Sequence, residues 1–315
     1  MTQDGAGSKR AGPHAPSPGR GAGASLPPPG EDVPPAELEL WEDEPVRAWA
    51  RTWGVPELRI FARTTSTNDE AKRLAERGAP TGSAVIADEQ TAGKGRRGRS
   101  WYAPHGRALL LSVVLRPPPR TSLRAPTAIP IHVGLAVARA IETVAPVVVG
   151  LKWPNDLVIA GSGKIAGILC EGELTGGADY VIAGIGINVN QRAAELPAHV
   201  DAHATSLAIA TGRETARAQL AASLFAELDS TIRRAGEPLD DAILDEYARR
   251  DVLRGAHVVV DNTIRGTANG ITTEGALLVD SAAGKRILLS GTVRLVAESS
   301  LGYPIGPGAW WESSR

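Results

Sequence analysis

Between two apolar runs, Ala84-Val85-Ile86-Ala87 and Ala108-Leu109-Leu110-Leu111-Ser112-Val113-Val114-Leu115, the chain carries Gly93-Lys94-Gly95-Arg96-Arg97-Gly98-Arg99, then Ser100 and Trp101. Four cations and three glycines in seven positions cannot join a buried strand or helix. The charges need water or a counter-charge, and the glycines weaken any regular element. The segment reads as a loop mounted between two buried strands. Its glycines let backbone N–H groups approach a ligand closely, and its cations favour an anion that is clamped and later released. Basic runs are otherwise solvated faces or nucleic-acid patches. A P-loop is excluded, because the GxxxxGK[ST] spacing is absent. The net charge of −1 makes this positive charge local and gives no global reason to expect nucleic acid or an anionic membrane as a partner.

The 315 residues allow about two domains. The single cysteine, Cys170, sits in Ile168-Leu169-Cys170 and reads as a buried small hydrophobe. It leaves no intramolecular disulfide and suits a reducing cytoplasm. No apolar stretch approaches a membrane span, and the N-terminus has no apolar h-region. Residues 1–30 are rich in Gly, Pro, Ala and Ser, and an acidic segment follows, including Glu37, Glu39, Glu42, Asp43 and Glu44. Residues 1–45 are therefore expected to be a disordered, then solvated acidic tail. A short helix is expected over 45–53 with Trp49 packed inward, and the folded core is expected to begin near Leu58. A loose tail is expected over 299–315, with Trp310 and Trp311 able to dock.

Leu58-Arg59-Ile60-Phe61 reads as a strand. Ser66-Thr67-Asn68 then opens a helix, where Thr67 and Glu70 have capping-box spacing and Gly78 and Pro80 stop it. Three small polar residues at a helix start also suit a polar ligand group. Helices are expected over about 129–145, 216–235 and 239–249. From about 252, short β-runs alternate with turns, the pattern of a small all-β barrel over 250–298.

Three further motifs join the basic loop. Lys152-Trp153-Pro154-Asn155-Asp156 is expected to open a hairpin strand that turns at Gly161-Ser162-Gly163. Lys164 lies on the returning strand, and by period-two alternation it and Asp156 can face one cavity. Gly184-Ile185-Gly186-Ile187-Asn188-Val189-Asn190 ends a buried strand; as a lone GxG it would be a weak signal.

In this order and spacing, Ser66-Thr67-Asn68, Gln90, the loop to Trp101, Lys152 to Asp156, Lys164-Ile165-Ala166-Gly167-Ile168-Leu169 and the GIGINVN run resemble the biotin protein ligases, from about Thr65 to Val296. The resemblance implies an α+β fold: a mixed β-sheet with flanking helices, related to the class II aminoacyl-tRNA synthetase catalytic fold, over residues 46–249. It also implies a C-terminal SH3-like β-barrel over 250–298. Many members carry an N-terminal helix-turn-helix; the first 45 residues here lack helical periodicity, so a ligase without a DNA-binding role is expected.

The implied reaction uses ATP, Mg²⁺ and biotin. Biotin's carboxylate attacks the α-phosphate to give biotinyl-5′-AMP, and a lysine of a biotin carboxyl carrier domain of an acyl-CoA carboxylase then takes the acyl group. An anion meeting a polyanion needs cations in the site. Lys164 and Arg96 are the expected catalytic cations, with Lys94 beside them on the loop, and Asp156 is expected to hold Mg²⁺ or orient the attacking groups. Lys152 is a candidate phosphate contact, and Asn155 stands in the same motif. Ser66, Thr67, Asn68, Gln90 and the Gly95 and Arg96 backbone are expected to meet the ureido ring. Gly93, Trp101, Gly167 and Gly186 complete the expected biotin and ATP site, and Asn188 is expected to face nucleotide or metal. Trp153 and Tyr102 read as packing residues, and His105 as a surface residue rather than a base. Lys94 stands where the family usually has Arg, keeping the charge and losing the bidentate fork.

The nearest competitor is a lipoate or octanoate ligase or transferase of the same fold, which lacks this loop and the KWPND form. A nucleic-acid module would need aromatics among the cations. A non-catalytic biotin binder would not need Lys164 and Asp156. Oligomeric state stays open, a homodimer included.

Overall fold

In the computed structural model, residues 35–116, 125–173, 180–196, 204–234 and 236–296 are described. The expected tails over 1–30 and 299–315, with Trp310 and Trp311, lie outside them. In chain order, β1 (Leu40–Trp41) pairs with β2 (Glu44–Pro45) and leads into α1 (Val46–Thr52). Next come β3 (Leu58–Phe61), α2 (Thr67–Glu76), β4 (Ala84–Ala87), β5 (Ala108–Leu115) and α3 (Ile129–Val144). A meander of β6 (Val149–Lys152), β7 (Asp156–Ile159) and β8 (Gly163–Glu173) continues into β9 (Tyr180–Asn188). Then follow α4 (Leu207–Thr211), α5 (Arg217–Arg233) and α6 (Asp241–Arg250). Five short strands close the described chain: β10 (His257–Val260), β11 (Ile264–Ile271), β12 (Leu277–Ser281), β13 (Gly284–Leu288) and β14 (Val293–Leu295).

The first seven-stranded sheet has the order β3-β4-β5-β9-β8-β7-β6. Only β3 and β4 pair in parallel, so the sheet is mixed as expected. Its faces bury different things, as side-chain alternation requires. Leu109, Leu111 and Val113 of β5 join the large core that also holds α3 and α5 residues such as Leu135, Ile141, Leu220 and Leu224. On the other face, Val114 meets Ala71 and Leu74 of α2 with Phe61 and Val85. One register rung crosses all seven strands on this α2 face: Phe61, Ala87, Leu110, Gly186, Gly167, Asp156 and Lys152. Two glycines in mid-rung leave a hollow beside α2.

The C-terminal strands form an antiparallel sheet in the order β13-β12-β11-β10-β14, in keeping with the expected small β-domain. It docks through the β11–β12 turn: Trp153 Nε1 donates to the Gly275 carbonyl at 2.9 Å, and the Leu239 N–H to Thr273 at 2.7 Å. Trp153 is 2% exposed and is a packing residue, as read.

Four expectations need correction. The acidic segment is folded from at least Glu37, not a solvated tail. Trp41 is buried with its Nε1 donating to Asp88 at 2.9 Å, Glu42 pairs with Arg217, and Glu37 pairs with Arg59. Long-range partners on β3 and α5, invisible to local composition, supply the counter-charges. Trp49 is half-buried and stacked on Trp53 at 5.0 Å. The Thr67–Glu70 capping box does not form. Ser66 is the N-cap, the Thr67 N–H donates to Gln90 Oε1 at 2.7 Å, and Glu70 instead accepts from Thr64 at 3.0 Å. KWPND does not open one strand: Lys152 ends β6, Asp156 begins β7, and 153–155 turn between them. Finally, the helical stretch Pro126–Val144 is long and apolar enough to cross a membrane by composition, but it packs in the core. Cys170 packs against that core, and burial pushes its thiol up to about 12, which makes it the inert hydrophobe expected.

Candidate active site

The hollow on the α2 face is a cavity of about 830 Å³, within the range of small-molecule sites. Its floor is the β8–β9 pair. Adding a Cβ to Gly186 would bring it 2.6 Å from the Trp101 indole, and to Gly167, 2.9 Å from the same ring. A Cβ on Gly184 would overlap the Asn68 amide. The GIGIN glycines thus seat one aromatic ring and one helix start directly on the sheet. Trp101 packs on Ala103, Ala108 and Leu110 and buries an Nε1–H with no partner.

Lys164 enters the cavity because of one irregularity. Asp156 is opposite Gly167 and Leu157 opposite Ala166, but Val158 is opposite Lys164. Without that bulge, Lys164 would oppose Ile159 and point into the α3 core. The shift turns it to the α2 face. There its Nζ is 2.6 Å from Asp156 Oδ1 and 5.5 Å from the Trp101 ring centroid. Simple alternation predicted the right meeting for an incomplete reason. Both side chains are only about one-fifth exposed, at 18% and 22%. Removing either partner would leave a desolvated charge.

The polar end is a network. Thr67 Oγ1 donates to Gln90 Oε1 at 3.0 Å, and Ser112 Oγ lies 2.8 Å from Thr67 Oγ1 and 2.6 Å from Asn68 Oδ1. Asn68 Nδ2 donates to Glu171 at 2.6 Å. Ser66, Thr67, Asn68 and Gln90 all line the cavity, as expected. Ser112 and Glu171 were missed. Ser112 left a readable trace: it is the sole polar residue in the run Ala108–Leu115.

The basic loop forms the roof. A short 3₁₀ turn spans Arg96–Gly98, and the Gly95 N–H donates to the Arg99 carbonyl at 2.6 Å. Gly93 approaches the Trp101 backbone too closely for any Cβ. The four cations divide. Lys94 reaches Asp69 at 2.5 Å on the first turn of α2. Arg96 lines the cavity and reaches Asn155 Oδ1 and the Gly291 carbonyl, each at 3.3 Å. Arg99 lines the cavity mouth and is exposed. Arg97 turns away from the cavity. Burial, then the neighbouring Arg97 charge, lowers the Arg96 pKa, with Asp156 opposing. An under-compensated guanidinium facing a cavity is a site for an anion.

Other expectations fare differently. Lys94, Gly95, Trp101, Asn155, Gly167 and Gly186 line the cavity. Gly93, Asp156 and Lys152 do not; Lys152 and Asp156 continue the rung past its edge. Asn188 lines it, but both ends of its amide are used: Nδ2 donates to the Thr205 carbonyl at 2.9 Å and Oδ1 accepts from Gln191 at 2.8 Å. It braces the 204–206 segment beside Lys164. Tyr102 is not packed: it is exposed at the mouth. His105 is a surface residue 3.7 Å from Glu89. Among the described residues no three His, Cys, Asp or Glu side chains converge as a metal site. Asp156, the expected Mg²⁺ ligand, has one oxygen engaged by Lys164. A single carboxylate of this kind could hold a divalent ion only together with nucleotide phosphates.

Residues 60–188 match the biotin/lipoate A/B protein ligase family, and 257–296 match the biotin protein ligase C-terminal domain. A biotin–[acetyl-CoA-carboxylase] ligase of Mycobacterium tuberculosis is 33% identical over 268 residues, 82% of this chain and 94% of that protein. The structure of a biotin protein ligase from Aquifex aeolicus in complex with biotin and ATP is similar with a TM-score of 0.63 at 28% identity, covering 76% of this chain and 98% of that one. A biotin protein ligase from Leishmania major in complex with biotinyl-5-AMP is similar with a TM-score of 0.52 at 25% identity, covering 77% and 99%.

Proposed function

This chain is a ligase of the biotin protein ligase family, and on that premise we propose that it joins biotin to ATP as biotinyl-5′-AMP and passes the biotinyl group to a lysine of a biotin carboxyl carrier domain of an acyl-CoA carboxylase. What carries the reading is that Lys164 and Arg96 open on one cavity that Trp101, Ile168, Leu169 and Ile185 also wall. An apolar acid needs such walls, and its carboxylate needs such cations.

In the first step a carboxylate oxygen bonds the α-phosphorus, and the bond to the β-phosphate oxygen breaks, releasing pyrophosphate. Lys164 and Arg96 reduce the repulsion between the two anions and stabilise charge on the phosphoryl oxygens. Asp156, 2.6 Å from the Lys164 ammonium, holds it in place while two of its N–H donors stay available. In the second step a neutral lysine amine bonds the acyl carbon, AMP leaves with the electron pair of the anhydride bond, and the proton of the attacking nitrogen passes to solvent. Trp101 and the loop above it exclude water from the anhydride meanwhile. A divalent ion would accompany the nucleotide and reduce the charge on its phosphates.

The C-terminal match is to biotin ligases, which favours biotin over lipoate or octanoate. A nucleic-acid role is disfavoured because Lys94 and Arg97 are paired to acids and Arg96 faces the cavity. The test is the intact mass of a purified carrier domain after incubation with this protein, MgATP and biotin, octanoate or lipoate. An ATP-dependent gain of one biotinyl group, with none from the other acids, is expected. A gain only from octanoate or lipoate overturns the biotin assignment, and pyrophosphate release without any carrier modification overturns the acceptor assignment.

A further inference from the structure

Arg97 is the one cation of the loop that does not line the cavity. Its guanidinium spans the gap to the C-terminal sheet, with Nη1 2.5 Å from Asp261 Oδ1 and Nη2 2.9 Å from Oδ2. Nη1 also donates to Thr292 Oγ1 at 3.1 Å. The receiving surface is built for this. Asp261 sits at the tip of the β10–β11 hairpin, where it and Asn262 take positive φ (48° and 60°). Its Oδ1 also accepts the Thr292 N–H at 2.8 Å, which fixes the carboxylate. The adjacent Gly291 carbonyl accepts from Arg96 at 3.3 Å. Arg97 itself takes positive φ (58°), an unfavourable geometry for a non-glycine residue that persists when contacts hold it.

We propose that the β10–β11 tip and the Gly291–Thr292 segment form a latch, with Asp261 as its catch and Arg97 as its bolt, that holds the basic loop closed over the cavity and so delays escape of the acyl-adenylate. Arg97 and Asp261 are positioning residues: neither lines the cavity. The proposal rests on the ligase reading for the identity of what is retained. The Arg97 hydrogen bonds hold the Asp261 carboxyl down at about 2, so the catch stays charged throughout the neutral range. Both side chains are still 46% and 37% exposed. Solvent screens an exposed pair and keeps its contribution modest, so the loop can open for each turnover. The fold thereby gives the small C-terminal sheet a function in the first domain's chemistry: it sets how long the roof stays shut. Lys94–Asp69 anchors the loop's other shoulder to α2 within the first domain.

Asp261→Asn tests this in the full-length protein, because it leaves the loop sequence and its tryptic sites intact. Two rates are read: tryptic nicking after Lys94, Arg96, Arg97 or Arg99 in the folded protein, and escape of radiolabelled biotinyl-AMP from the preformed complex. Both are expected to rise about fivefold, as loss of a weak closing contact predicts, with melting temperature unchanged. The exchanged pair Arg97→Asp with Asp261→Arg is expected to bring escape back toward the parent rate, whereas Arg97→Asp alone does not. Nicking and escape both at the parent rate in Asp261→Asn would overturn the latch, and so would faster nicking with unchanged escape. If the parent protein forms no adenylate, the ligase reading fails, and nicking still decides whether the latch exists.

Discussion

The floor and the roof of the cavity are built by opposite means. The floor is backbone: β7, β8 and β9 are tied by an antiparallel ladder, and Lys164, Asp156, Gly167 and Gly186 take their places from register. The roof is side chain: residues 91–100 cross the opening with few backbone bonds and are held by exposed ion pairs at either shoulder. A ladder of hydrogen bonds resists displacement residue by residue, while an exposed ion pair is worth little and reforms easily. The group that must be aimed at a reacting centre stands on the floor. The groups that must admit a ligand, close and release it stand on the roof.

That contrast predicts unequal costs. Lys164→Ala should have the largest effect: pyrophosphate release with biotin and ATP should fall by about a hundredfold or more, the scale of losing a positioned charge at a developing anion. Circular dichroism should show the fold retained. A loss under threefold would mean that the floor does not aim the chemistry. Arg96→Ala comes next. It should slow adenylate formation by about tenfold and speed adenylate escape, since Arg96 both faces the cavity and ties the roof to Asn155 and Gly291. Single-turnover formation and dissociation rates check it; unchanged values in both would remove Arg96 from the roof's function.

A third prediction is read in stability rather than in rate, at the joint between the two sheets. Asp251 is buried where it bridges Leu151 of β6, with the Leu253 N–H on Oδ1 at 2.9 Å and no partner on Oδ2. Burial raises its pKa to about 7, with the Leu253 N–H opposing. The unfolded carboxyl titrates near 4. Its unfolded form therefore holds fewer protons than the folded form between these values, so folding stability falls as pH rises from about 4 through about 7. Asp251→Asn removes that titration and should gain about 2 kcal/mol more at pH 8 than at pH 5, read by denaturant melts at the two values. An equal change at both would show that the joint does not carry a buried charge. Adenylate escape should not change, because the ion pairs, rather than the joint, close the roof.

Much of this is legible in short windows of the sequence. The loop, the helix that starts at Ser66, the hairpin turn near Gly161 and the β-rich C-terminal third all carry local signals: glycine and charge density, capping types, alternation. The polar network was legible in part, since Ser112 interrupts an apolar strand. Other features have no local signal. Glu42 and Asp88 meet Arg217 across 175 and 129 positions, so an acidic segment that composition assigns to solvent is folded. Asn188 resembles a ligand group in sequence, and its amide is consumed by Thr205 and Gln191.

By itself the sequence determined which residue types come together: cations with glycines on one connection, a lysine and an aspartate on one hairpin, and a glycine-floored strand under them. The tertiary structure alone decided which way they point and what they hold. A one-residue bulge turns Lys164 from the core to the cavity, and Arg97 finds Asp261 some 164 positions away. The reason is physical. Residue type and short-range period are properties of a few consecutive residues, whereas strand register and charge pairing across domains are settled by packing that no short window of sequence contains.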